Sequence, residues 1–204
     1  MAGLDILIPL LLIILVSLSF HEAAHAWTAN RLGDPTARSL GRLTLNPLAH
    51  IDWFGTVLFP LLMYFLGLIP FGWAKPVPVD ARNLAHPRRD FAVVALAGPV
   101  SNLILAAGAA VLLSLLPTSQ AGELVWWVLY VTLTINVLLA VFNLLPIPPL
   151  DGGNVLAGVV PESVARLIDA LRPYGFLILI ALLYLGVIGT IVAPIQRWIT
   201  RWLT

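Results

Sequence analysis

The sequence predicts an all-α, multi-pass membrane protein, and three observations carry that expectation. Hydrophobic residues make up 60% of the 204 residues and charged ones only 10%, against roughly 25% charged in an average soluble domain. Mean hydropathy is +0.97. The apolar residues also fall in long runs, several of them near the roughly 20 residues that cross a bilayer. A soluble fold of this length has no interior large enough for that much apolar surface, and disordered chains are poor in apolar residues. Both classes are excluded. Net charge is +1 and the arginines are scattered rather than clustered, which speaks against a nucleic-acid partner. Cysteine is absent, so disulfides and Cys-ligated metal centres are excluded as well.

The first apolar run is Leu4–Phe20, and helical composition continues to Leu32, where Gly33 and Pro35 stop it. Met1–Asp5 carries no basic residue and no small-residue cleavage site closes the run, so a removable leader is not expected. A polar stretch, Gly33–Trp53, follows; His50 and Asp52 stand out in it, without an assignable role. The second run, Phe54–Leu68, is short for a span and is broken by Gly55, Pro60 and Gly67. Alternating Val and Pro in Gly72–Val79 exclude a helix there and predict an extended segment. The third and fourth runs, Phe91–Leu116 and Leu124–Leu145, are joined by Pro117–Glu123, which has no Lys or Arg. A Pro-rich turn, Pro146–Gly153, closes the fourth. A short amphipathic piece, Val155–Leu171, precedes the last run, Tyr174–Val192. The tail carries Arg197, Trp198, Arg201 and Trp202, the composition of an interfacial anchor.

Chemistry concentrates in two places. His21-Glu22-Ala23-Ala24-His25 places two imidazoles four residues apart, on one helix face, where both can reach a single ion. Glu22 is rotated about 100° from His21, beside the ion, where it can take a proton from water. Zinc is the ion such a pair is expected to hold. Ionisable groups that follow seventeen mostly apolar residues are costly, and are functional by default. A third protein ligand is needed. Asp34, His50, Asp52, Asp80, His86, Asp90, Asp151 and Asp169 are the candidates, and Asp151 stands out because it follows the Pro-rich break of a long apolar helix. Its alternative role is the N-cap of the next helix.

The two motifs together resemble the site-2 proteases, intramembrane zinc metalloproteases with the paired signature HExxH and NxxPxxPxLDG, here His21–His25 and Asn143–Gly152. Gly41–Asp52 and Gly72–Val79 look like the short prokaryotic branch without PDZ or CBS domains, and Ala97–Asn102 like its middle core helix. The resemblance covers about residues 10–160. It implies one Zn2+ per chain held by His21, His25 and Asp151, with Glu22 as catalytic base. It suggests substrate contacts for Asn143 and a supporting part for Asn102, and Val77 and Val79 are expected to hold the substrate as an extended strand.

To share one ion, the helices carrying His21 and Asp151 should run parallel, so an odd number of crossings separates them. Phe54–Leu68 is then the run that does not cross. The expected fold is a single domain, residues 1–204, with its core about 5–160. It has a three-helix catalytic core (5–32, 91–116 and 124–149), a C-terminal transmembrane helix about 174–193, and a re-entrant extended or β segment. Arg31, Arg38, Arg42, Lys75, Arg82, Arg88 and Arg89 then share one side, the cytoplasm by the positive-inside rule. The resulting expectation is an intramembrane metalloprotease of a prokaryotic plasma membrane. Its active site lies toward the cytoplasmic side, and it cuts transmembrane-helix proteins in regulated intramembrane proteolysis. Its partners are those substrates and the lipid bilayer, with no nucleic acid and the oligomeric state open. The alternatives are a membrane metallohydrolase of non-protein substrates and a non-catalytic metal-binding membrane protein.

Overall fold

A computed structural model describes residues 4–67, 72–116 and 122–203. The connector Pro117–Glu123 and the end of Phe54–Leu68 lie largely or partly outside the described residues. The first helix, α1, is Leu4–Arg31, and its polar C-terminal third is continuous with its apolar start. Gly33, at φ 110°, reverses the chain after it. A short helix, α2 (Thr36–Ser39), follows. A wide π-helical turn, Trp53–Leu58, runs into α3 (Phe59–Phe65); at about 1.5 Å per residue this pair is too short to span a bilayer. Two long helices follow, α4 (Pro87–Leu115) and α5 (Glu123–Asn143). The chain ends with α6 (Asp151–Val159), α7 (Glu162–Leu171), α8 (Gly175–Tyr184) and α9 (Val187–Leu203).

Among the described residues, four stretches are long and apolar enough to cross a membrane: Ile8–Arg31, Pro87–Leu115, Glu123–Asn143 and Glu162–Tyr184. The protein is an all-α, integral multi-pass membrane protein. The first three stretches are the expected catalytic core. Ser17 and His21 of α1 meet Asn136 and Asn102 respectively, and His25 meets Val94. The register rises along α1 as it falls along α4, so these two are antiparallel. Asp151 lies beyond α5 and reaches His21, whereas Asn136 reaches Ser17, so α5 runs parallel to α1.

Alanines line the seams, as they do where helices pack without help from water. Ala106, Ala109 and Ala110 of α4 face Leu133, Val137 and Val141 of α5, with Leu179, Ile188 and Val192 closing the cluster from α8 and α9. Large apolar side chains such as Leu12, Ile104, Val111 and Leu124 point outward, toward lipid.

One expectation is corrected. The last run is not one helix over 174–193: it breaks at Leu185–Gly186. Gly186 takes φ 73° and its N–H caps the Leu183 carbonyl, a left-handed helix stop that glycine favours. The helix resumes as α9 and takes in the Trp- and Arg-bearing tail. The segment after α3 is extended but belongs to no β-ladder among the described residues. Pro76 and Pro78 supply no N–H, which removes alternate donors from one edge of that strand. Its other edge is fastened by single bonds. Trp73 N–H donates to the Gly55 carbonyl and Lys75 N–H to that of His50, and Arg42 donates to the Lys75 carbonyl. We call Gly72–Asp80 the strap.

Candidate metal centre

His21 and His25 sit one turn apart on α1, 4% and 8% exposed, with their Nε2 atoms 3.0 and 3.4 Å from Asp151 Oδ2. Each ring is held from behind by α4. His25 Nδ1 donates to the Val94 carbonyl at 2.7 Å, and His21 Nδ1 bonds the Asn102 Oδ1 at 2.6 Å. A carbonyl only accepts, so His25 carries a hydrogen on Nδ1, which leaves Nε2 as the ring atom that can ligate an ion. Pro99, within α4, has no N–H to donate to the Ala95 carbonyl. Gly98 lies directly against both rings: a Cβ there would stand 2.6 Å from His21 Nε2 and closer still to His25 Nε2.

Asp151 opens α6 but does not cap it: the N-cap position is Leu150, and no side chain closes the cap. The carboxylate turns to the histidines instead. The chain before it doubles back through Pro146–Pro149, with a cis peptide at Pro148–Pro149. Gly152 and Gly153 fit only because they lack a Cβ. At Gly152 it would strike the Leu144 carbonyl, and at Gly153 it would lie 2.8 Å from the Pro148 nitrogen.

The ligand atoms of His21, His25 and Asp151 all fall within 4.8 Å of one another. Asp151 Oδ2 is buried and receives no hydrogen bond. Electron-rich atoms gathered around a buried carboxylate oxygen repel unless a cation lies among them, and two imidazoles with one carboxylate suit zinc. The residues present therefore fit the ion.

Beside them is a cavity of about 480 Å³. Glu22, Asn143, Val77, Val79 and Phe176 are among its walls. Glu22 is 9% exposed, and its Oε2 accepts the Val77 N–H at 2.8 Å. Asn143 donates to the Leu139 carbonyl one turn back, which leaves its second amide hydrogen unspent. Asn102, by contrast, is fully buried behind His21 and does not line the cavity. Phe176 of α8 meets Trp73 of the strap edge-on, ring centroids 5.2 Å apart.

His50 and Asp52 stay away from the centre. His50 Nε2 bonds the Thr44 carbonyl, and Asp52 caps the π-helical turn by accepting from the Gly55 N–H. Sequence reasoning missed Gly98, whose role depends on a helix crossing. It also missed Asn136, for which a signal existed: a lone amide in the middle of an apolar helix. Asp34, a candidate metal ligand by sequence, has a different part in the structure. It is fully buried and accepts from the Thr36 N–H and hydroxyl, the Asp80 N–H and the Asn83 amide. It thus ties the end of α1 to the end of the strap.

Helices too apolar for water, enclosing a centre of two histidines and an aspartate with a glutamate beside it, define a membrane-embedded metallopeptidase. Residues 9–125 and 117–185 match Peptidase family M50, and the chain belongs to that family, the site-2 proteases; it is a zinc-dependent protease. It is 40% identical over 185 residues to YwhC of Bacillus subtilis (strain 168), which carries a provisional zinc-metalloprotease name; the match covers 86% of this chain and 80% of that protein. Rip2 of Mycolicibacterium smegmatis, named in the same way, is 34% identical over 90% of this chain and 67% of its own length. MJ0611 of Methanocaldococcus jannaschii, also so named, is 44% identical over 31% of each chain. No solved structure matches.

Proposed function

We propose that the chain is an intramembrane endopeptidase that hydrolyses peptide bonds within or near transmembrane segments of membrane-protein substrates, in regulated intramembrane proteolysis. The observation that carries this reading is the position of the His21–His25–Asp151 cluster. It lies inside the bundle of membrane-length helices and opens on a cavity walled by the extended strap. His21, His25 and Asp151 hold the ion. Bound there, zinc supplies Lewis acidity toward the scissile carbonyl and toward water.

Glu22 is the general base: its carboxylate takes the proton from the attacking water and returns it to the leaving amine. Asn143 lines the cavity, and its second amide hydrogen meets the developing oxyanion. A transmembrane helix hides its carbonyls in its own hydrogen bonds, so the substrate must unwind locally. An unwound strand finds new partners on the strap at Val77 and Val79, pairing as an added β-strand. The helix ends that gather Arg31, Arg38, Arg42, Arg82, Arg88 and Arg89 face the cytoplasm of a prokaryotic plasma membrane, and the centre lies toward that side.

The test is a cleavage assay with purified, zinc-loaded protein against single-span membrane proteins, beside lipid esters and small amides. Cleavage of the spanning proteins in or near their spans, abolished by Glu22→Gln, is the expected result. Turnover of the lipids or small amides alone would overturn the reading.

A further inference from the structure

The three core helices share a buried polar chain that ends on the metal centre, and its direction is fixed by backbone groups. Asn102, Asn136 and Ser17 lie on α4, α5 and α1, with 0%, 0% and 2% exposure. Asn136 Nδ2 donates to the Thr132 carbonyl at 2.8 Å and to Ser17 Oγ at 2.9 Å. Because a backbone carbonyl can only accept, the amide of Asn136 cannot be turned over without losing that bond. Its Oδ1 is therefore committed to the other side, where it accepts from Asn102 Nδ2 at 2.8 Å. Asn102 Nδ2 also faces the Ser17 carbonyl at 3.4 Å, a second acceptor that allows only the same orientation. What remains of Asn102 is Oδ1, and it meets His21 Nδ1 at 2.6 Å.

We infer that Asn136 is a positioning residue for the zinc centre. By fixing the amide of Asn102, it forces the His21 hydrogen onto Nδ1 and leaves Nε2 bare toward Asp151. Asn136 touches neither the cavity nor His21; it acts only through Asn102. The chain deepens the proposed metal site and rests on it. His25 needs no such relay, since the Val94 carbonyl sets its tautomer directly. The Nδ1 partner of His21 is instead the amide of Asn102, which could serve as donor or acceptor; the 2.8 Å bond to Asn136 is the main constraint on its orientation, with the Ser17 carbonyl a longer second acceptor at 3.4 Å.

Two measurements test this. The first needs no substitution: 15N-histidine NMR of the zinc-free full chain. His21 is expected with its hydrogen on Nδ1; finding it on Nε2 overturns the inference. The second is zinc affinity by chelator competition for Asn136→Leu, Asn102→Leu and the double variant, with thermal stability of each zinc-free protein alongside. Loss of an outer partner of a metal-bound histidine typically weakens the metal about tenfold to a hundredfold. Asn136→Leu should do so, and should add nothing once Asn102 is Leu. Unchanged affinity in a folded Asn136→Leu, or losses that multiply in the double variant, overturn the relay. Failure of the underlying metal site would look different: Asp151→Ala would keep its zinc.

Discussion

Glu22 shares a helical turn with His21 and His25, yet the rotation of the helix turns it away from the ligand cluster and onto the strap. That separation sets two contrasting expectations. In Glu22→Gln the size and the acceptor for Val77 remain, and the three ligands are untouched. Zinc stoichiometry should stay near one per chain while cleavage falls by about 10²–10⁴-fold, the usual worth of a general base. The variant should therefore retain substrates and can be read by co-purification. In Asp151→Ala the two imidazoles lose their third partner, and metal analysis of the purified protein should find the zinc gone. At this scale the sequence was highly legible. His21, Glu22 and His25 stand out by helical periodicity and Asp151 as a candidate after a Pro-rich break, both local properties; the resemblance to the site-2 proteases joins them into one expected site. That the supporting part of Asn102 is a bond to His21 was not, because which side chain faces a ring nitrogen depends on how α1 crosses α4.

Among the elements, the strap has two edges of different character. Trp73, Lys75 and Val77 direct their N–H groups inward, to Gly55, His50 and Glu22, while Pro76 and Pro78 strip donors from the opposite edge. On the inward edge those three donors are spent within the protein, and the Val79 N–H is the one left for a substrate strand. Val79→Pro removes it without touching the Glu22–Val77 bond. Zinc should be retained and cleavage should fall about tenfold, the order expected for one lost backbone hydrogen bond; full activity with Val79→Pro would remove the strap from substrate binding. The strap's far end hangs on Asp34. Burial pushes that carboxyl up, but the bonds from Thr36, Asn83 and the Asp80 N–H outweigh it and hold it below the usual carboxylate range. A depressed folded value means that the fastening contributes fully above the ordinary pKa and is lost as pH falls through the lower one. Hydrogen exchange at the Asp80 amide should thus stay slow through mildly acidic pH and quicken only in stronger acid. An extended segment was readable from its prolines, but this fastening was not. Asp34 and Asp80 lie far apart in sequence, and nothing local announces their meeting.

For the whole molecule, the bundle fixes which ends lie together. α1 and α5 run parallel and α4 antiparallel, because Ser17 meets Asn136, His21 meets Asn102 and Asp151 returns to His21. Three helices in that order cross the membrane in alternation. The chain between the end of α1 and the start of α4 must then leave and re-enter on one face. The π-helical turn and α3, too short to cross, fit that requirement, and in the proposed topology the cationic residues from Arg31 to Arg89 share the cytoplasmic side. The absence of cysteine makes this directly measurable. Ser39, Arg89 and Glu123 are exposed at helix ends, so a single cysteine at each can be labelled by an impermeant thiol reagent in intact cells. Cysteines at 39 and 89 should be protected together, and one at 123 should react. Reaction at 39 or 89 but not the other would mean that the segment between them crosses the bilayer. A common depth for His21 and Asp151 would then require α4 to run parallel to α1, against the pairing of His21 with Asn102 and of His25 with Val94.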